Sequence, residues 1–177
     1  MIKKILLGLV LLFLIGLGIY YQLGGFNEVE YTIEASDGIR LVGRTYRGTP
    51  QDEQMGNTFR EIEGLIQKNP GSNLHTLYYT EPAGKLDTLL VFVGVEYKEK
   101  LDRENNKLEM KTIPCTQVIV AAIKAHRLVM ASPDRVKREI EKFAEEKGVV
   151  TQGIYVDRIK GEGMVEVIAP LEMGKWN

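Results

Sequence analysis

Apolar residues recur along this chain at three spacings, and each spacing predicts a different element. The first is an unbroken run. From Ile5 to Tyr21 no side chain is charged, and Lys3 and Lys4 stand just before it. Crossing the hydrocarbon of a bilayer takes roughly 20 residues, with a range of about 17 to 25. Residues 5–26 meet that length with Gln22 near the interface and Tyr20 and Tyr21 in the aromatic belt. The run therefore predicts one N-terminal transmembrane helix. A cleaved signal peptide is the rival reading. It needs a shorter apolar core and a small-x-small cleavage site, which residues 19–23 do not offer.

The second spacing is helical. Met55, Phe59, Ile62 and Ile66 form one stripe after Thr49-Pro50-Gln51-Asp52, and Val136, Ile140 and Phe143 form another after Ser132-Pro133-Asp134. A hydroxyl residue, then proline, then an acid is a helix-start signal. Asn69-Pro70-Gly71 stops the first helix and Gly148 the second.

The third spacing is that of strands. The β-branched run Leu89–Glu96 reads as a buried central strand, and the run from Met164 to Leu171 reads as its counterpart. Residues 39–46, 74–79, 117–126 and 152–159 supply further strand material, and an extended piece is expected at 29–33. Turns are expected at 81–85 and at 160–163, the latter a hairpin turn. The order strand, helix, strand, strand thus occurs twice, with helix starts ~80 residues apart, longer than a solenoid period. The predicted class is α+β in two layers: duplicated β-α-β-β units, an antiparallel sheet with two helices on one face, behind the membrane helix.

The predicted organisation is a short cytoplasmic N-terminus (1–4), an anchor (5–26), a connector (27–38) and a domain (39–171). The domain's halves are 39–97 and 113–171, joined by a solvated, charge-rich linker at 98–112, and a tail follows at 172–177. The two lysines before the span put the N-terminus in the cytoplasm and the domain outside. The formal net charge of the 177 residues is −1, so charge gives no case for a nucleic-acid partner. Cys115 is the single cysteine, which rules out an internal disulfide and a four-thiolate zinc site. It reads as an inert structural thiol, and Trp176 lies in the tail.

The duplicated order, with Val93-Gly94-Val95 closing the first hairpin and residues 165–171 closing the second, resembles the GyrI-like domain, the bacterial transcription activator effector-binding domain. The resemblance covers about residues 30–171. With its N-terminal span, the chain resembles a membrane-anchored subgroup that includes the testis-expressed ER-phagy receptors of animals. It departs from the transcription-factor members in having no helix-turn-helix between anchor and domain. The resemblance implies a cleft near a pseudo-twofold axis between the halves. In multidrug-binding members a buried glutamate with aromatic walls receives cationic, amphipathic ligands.

Glu166 is the candidate carboxylate, because an ionised acid among Met164, Val165, Val167 and Ile168 must be paired, solvated or protonated. The plainer reading places it in water, or paired with Arg158 across the hairpin. Phe92, Tyr46, Tyr78, Tyr155 and Met164 are the other candidate ligand-binding residues, with Tyr79 as a further possible wall. Glu96 reads as a solvated strand-end acid.

No catalytic set, metal spacing or phosphate loop is present. No metal and no cofactor is expected, although a related haem-binding family shares this general fold and His126 is one of two histidines. The reading is a membrane-anchored small-molecule-binding domain. A hydrolase of reactive small molecules using a pocket carboxylate and a protein-interaction module remain the alternatives.

Overall fold

Among the described residues eight antiparallel strands form one sheet, and its middle is a seam between two equivalent halves. The computed structural model describes residues 2–80, 87–97, 108–161 and 163–173. The elements are α1 (Ile2–Gln22), β1 (Glu30–Ala35), β2 (Ile39–Gly48), α2 (Glu53–Lys68), β3 (Leu74–Thr80), β4 (Leu89–Glu96), β5 (Glu109–Ile113), β6 (Gln117–Lys124), α3 (Pro133–Lys147), β7 (Val156–Gly161) and β8 (Met164–Pro170). The strand order is β1-β6-β8-β7-β3-β4-β2-β5. The unit β2-α2-β3-β4 is repeated as β6-α3-β7-β8, and the two meet where β3 pairs with β7. This is the predicted α+β duplication, with both helices on one face. The expected turn at 81–85, most of the expected linker at 98–112, and Trp176 lie outside the described residues.

The edge strands are exchanged between the halves. β1 precedes β2 in the chain but pairs with β6, from Glu30↔Ala122 to Ala35↔Gln117. β5 precedes β6 but pairs with β2, from Ile39↔Ile113 to Gly43↔Glu109. Residues 109–112 read as linker from sequence, yet they form most of β5. The reason is visible in the strand itself. Among Glu109, Met110, Lys111, Thr112 and Ile113 only Ile113 is buried, so the apolar alternation that marks a strand is missing. Its ladder to β2 holds it, and its charges suit an exposed sheet edge.

The two helix starts differ. α3 begins as its sequence predicts, with Ser132 at the N-cap and Pro133 at the first turn, and it ends at left-handed Gly148. α2 begins later than Thr49-Pro50 suggested. Asp52 is its N-cap, accepting from the Gln54 N–H at 2.9 Å. Thr49 instead closes a turn by accepting from the Asp52 N–H at 3.1 Å.

Each helix covers its own half of the sheet. Ile62 and Leu65 of α2 pack on Val42, Val91, Val93 and Val95. Val136, Ile140 and Ala144 of α3 pack on Ile119, Ala121, Val167 and Ala169. Burying one such aliphatic side chain stabilises the fold by about 1.5–3 kcal/mol. A third cluster forms on the opposite face, where Phe92, Leu41, Leu77, Val118, Val120, Val156 and Ile168 are buried with Ile113 and Cys115. The Cys115 thiol lies 3.5 Å from the Ser36 hydroxyl, in keeping with a structural thiol.

A pair of facing glycines shapes that third cluster. Gly43 and Gly94 are register partners in β2 and β4. A methyl group at Gly43 would lie 2.0 Å from the Val93 carbonyl oxygen, and one at Gly94 would lie 2.7 Å from the Phe92 ring. The strands approach closely here, and the Phe92 ring lies over the bare backbone of Gly94. Gly43→Ala should cost about 1–3 kcal/mol by overpacking. Gly56→Ala, in α2 where nothing stands within 4 Å of the new methyl, should instead add about 0.5–1 kcal/mol. Guanidinium unfolding of the full chain in detergent, followed by circular dichroism, would read both signs.

Candidate ligand-binding cleft

The seam between the halves places one row of side chains under both helices and the alternate row on the far face. In the β3–β7 ladder Thr76 faces Asp157 and His75 faces Arg158. Strand alternation puts Thr76, Tyr78, Asp157 and Ile159 on the helix side, and His75, Leu77, Val156 and Arg158 on the other. α2 and α3 each cover their own half, so a cleft is left between them above the seam.

Two adjoining cavities occupy this cleft. One, of about 420 Å³, is lined by Met55, Leu89, Tyr78, Lys137, Tyr155 and Asp157, with Pro50, Pro133 and Asp134 at its rim. The other, of about 430 Å³, shares Tyr78, Pro133 and Asp157 and adds Phe59, Met130, Ile159 and Val167. Both are mainly apolar and fall in the size range of small-molecule sites.

The polar groups of the cleft are held in place. The Lys137 ammonium stands over the Tyr155 ring, 5.2 Å from its centroid. The Tyr155 hydroxyl donates to the Glu141 carboxylate, which also accepts from Thr151 at 2.6 Å. Burial first, and then the Glu141 carboxylate, push the Tyr155 phenol up to about 12. Tyr155 therefore stays protonated near neutrality, as a donor and an aromatic wall. Asp157 accepts from the Thr76 hydroxyl at 3.4 Å.

The structure distributes the residues singled out from sequence over both faces. Tyr78 and Tyr155 line the cleft. Tyr46 is buried against α2, where its hydroxyl donates to the Thr49 carbonyl at 3.2 Å. Phe92 is fully buried on the far face. Met164 begins β8, opposite Lys124. Glu166 also lies on the far face and is almost fully buried. It accepts from Arg158 Nε at 2.7 Å and faces Lys160 Nζ at 2.6 Å. That is the cross-hairpin pairing with Arg158, extended to a second cation.

Glu96 has more partners than a solvated strand end would. It accepts from the Asn73 N–H at 2.9 Å and from Asn73 Nδ2 at 3.2 Å. Its Oε1 is 3.7 Å from Nε2 of His75, which is only 2% exposed. Burial lowers the His75 pKa, with Glu96 opposing it. His75 and Glu96, with Arg158 and Tyr97, line a far-face cavity of about 300 Å³. Among the described residues no group of three or more His, Cys, Asp or Glu side chains is placed to hold a metal ion.

Sequence reasoning passed over Asp157, Phe59 and Met55 as cleft residues. Asp157 alternates with Val156 and Arg158, but alternation does not say which row the helices overlie. The useful signal is the pairing of β3 with β7, which is a long-range fact.

Neither a protein-family model nor a curated protein matches the sequence. Solved structures do share the fold. The chain is similar to EcmrR in the cryo-EM structure of its DNA complex, with TM-score 0.55 and 13% identity, covering 90% of this chain and 64% of that one. The chain thus spans less than two thirds of the EcmrR chain. The EcmrR C-terminal domain alone matches with TM-score 0.53 and 14% identity over 81% of this chain and 98% of that one. A hydrolase from Listeria innocua matches with TM-score 0.56 and 7% identity over 86% and 97%. These likenesses support the GyrI-like fold, and they do not reach the membrane-anchored subgroup.

The far-face ion pairs make a pH prediction. Burial raises the Glu166 pKa, but hydrogen bonds from Lys160 and Arg158 and their charges outweigh it, so the net shift is downward from 4.5. A depressed carboxylate stabilises the fold above its unfolded pKa, and that contribution is lost as pH falls through the folded pKa. Glu166→Gln should therefore cost about 1–3 kcal/mol at pH 7. The gap to the parent chain should close in denaturant titrations run progressively below pH ~4.

Proposed function

We propose that this chain is a membrane-anchored domain that binds an amphipathic, cationic small molecule in the cleft between α2 and α3. The observation that carries the reading is the Lys137 ammonium over the Tyr155 ring in a mainly apolar cavity that Asp157 also lines. The cleft already holds a cation against an aromatic face. An organic cation entering it would find the same ring, a carboxylate and the apolar surface of Met55, Leu89 and Phe59. The carboxylate role expected of Glu166 passes in this reading to Asp157, because Glu166 lies on the other face and Asp157 lines the cleft. Tyr78 and Tyr155, which line the cleft, are in this reading its aromatic walls.

The hydrolase alternative draws less support. Tyr155 retains its proton to about 12 and so makes a poor base near neutrality. The Listeria innocua hydrolase shares the fold, and fold does not carry chemistry with it.

The membrane part of the reading rests on Lys3–Gln22, 20 residues long and apolar enough to cross a bilayer, with none of the residues of its most apolar stretch buried. Lys3 and Lys4 stand at its start, and by the positive-inside rule they favour an N-terminus in the cytoplasm and a domain outside.

The binding test is a titration of the full chain in detergent with tetraphenylphosphonium, a rigid lipophilic cation. Asp157→Asn should weaken binding by about tenfold, or ~1.4 kcal/mol. Lys137→Ala, which removes the resident cation, should strengthen it. Equal affinity in the parent and both variants would remove the cleft from the reading. For orientation, protease added outside intact cells should digest the domain of a chain tagged at its N-terminus and leave the tag protected. Protection of the domain would reverse the topology.

A further inference from the structure

The end of the membrane helix does not lead into a free tether. Leu23, the first residue after α1, accepts the His126 N–H at 2.8 Å. Asn27 Nδ2 donates to the Lys124 carbonyl at 2.5 Å, and Lys124 Nζ lies 3.2 Å from Glu30. Gly24, at φ +78°, permits the approach: a methyl group there would stand 2.9 Å from the Lys124 carbonyl oxygen. Every one of these contacts falls on the end of β6 or on the loop between β6 and α3.

We infer that this loop, residues 125–132, is a second membrane contact, with Leu128 entering the lipid headgroup region and the cleft opening beside the bilayer surface. The inference rests on the reading of α1 as a span. By length, the end of α1 lies at the boundary between hydrocarbon and water. Tyr20, Tyr21 and Phe26 cluster there, with the Tyr20 and Phe26 rings edge to face at 5.0 Å. His126 is bonded to that point, and two residues of chain reach at most about 7 Å, so Leu128 is confined to the same level.

Leu128 is 76% exposed, more than any described large apolar side chain of α1. Arg127 beside it is exposed too. An aliphatic residue with a basic neighbour suits an interface, where the stem or ring enters the lipid and the charge stays with the headgroups.

The loop backbone is also partly self-paired, which lowers the cost of leaving bulk water at an interface. The Leu128 N–H donates to His126 Nδ1 at 3.3 Å. The N–H groups of Val129 and Met130 both donate to the His126 carbonyl, at 2.9 and 3.0 Å. One histidine therefore satisfies three consecutive donors at the tip.

The same loop forms one wall of the cleft, through Arg127, Met130, Ala131 and Ser132. A ligand that partitions into the bilayer would meet the cleft at the lipid surface, where amphipathic cations concentrate.

The test uses the full chain in phosphatidylcholine–phosphatidylglycerol vesicles, with and without brominated acyl chains. Trp176, the one native tryptophan, is replaced by phenylalanine. A reporter is then placed by Leu128→Trp or, as a control, by Met110→Trp. Met110 is 48% exposed and lies on β5, at the sheet edge opposite β1. The Glu30 end of β1 pairs with Ala122 beside the loop and its Ala35 end leads into β2, so β5, paired with Ile39–Gly43 at the start of β2, lies toward the end of the sheet away from the loop. Emission from position 128 should shift to the blue and fall in brominated vesicles, while emission from position 110 should not change. An unquenched reporter at 128, on a chain that still floats with the vesicles, would overturn the docking of the loop and leave the anchor standing. Equal quenching at 128 and 110 would also overturn it, since the domain would then lie flat on the lipid. A chain that fails to float would remove the anchor and this inference with it.

Discussion

The four residue pairs between β3 and β7 are the constraint on which the molecule depends. Leu74–Leu77 lie against Val156–Ile159 and turn two sheets of four strands into one of eight. The join also decides what each face of the seam presents. On the helix side it sets Thr76 beside Asp157 under a roofless gap. On the other it sets His75 beside Arg158, and the acids Glu96 and Glu166 gather around them. Slipping the register by one residue would send the charged row under the helices and the cleft residues to the far face.

A ladder this short gains from the edge strands being traded. Because β1 lies on the second half and β5 on the first, separating the halves would also strip one strand from each. The seam is thereby reinforced through the edge strands as well as along the ladder itself. The far-face ion pairs add less direct strength. Breaking one of them leaves a buried charge behind, so they hold the arrangement more by the cost of disruption than by net attraction.

Much of this was legible in the chain. The Ser132-Pro133 start and Gly148 stop marked α3 closely, since both signals come from local backbone chemistry. The β-branched run in β4 read as a buried strand, and the doubled element order implied the two-layer class. What local chemistry does not encode was harder. β5 carries no apolar alternation, because an edge strand held by one neighbour needs none. Glu166 stood out among apolar neighbours, and its pairing with Arg158 could be weighed from hairpin spacing. The face it occupies could not, because that follows from where α2 and α3 pack. Asp157 was seen as one member of an alternating strand, and its place in the cleft depends on β3, some 80 residues earlier.

The traded edge strands also set an order of events during synthesis. β1 follows the apolar helix at once, yet its partner residues in β6 come about 90 positions later. At ordinary translation speeds of about 5–20 residues per second, that is a wait of some 5–18 seconds. Throughout it, β1 is a strand with both ladders open, tied to a segment suited to entering a bilayer. The Glu30 and Glu34 side chains on its exposed row are then what keeps it from pairing with a neighbouring nascent chain.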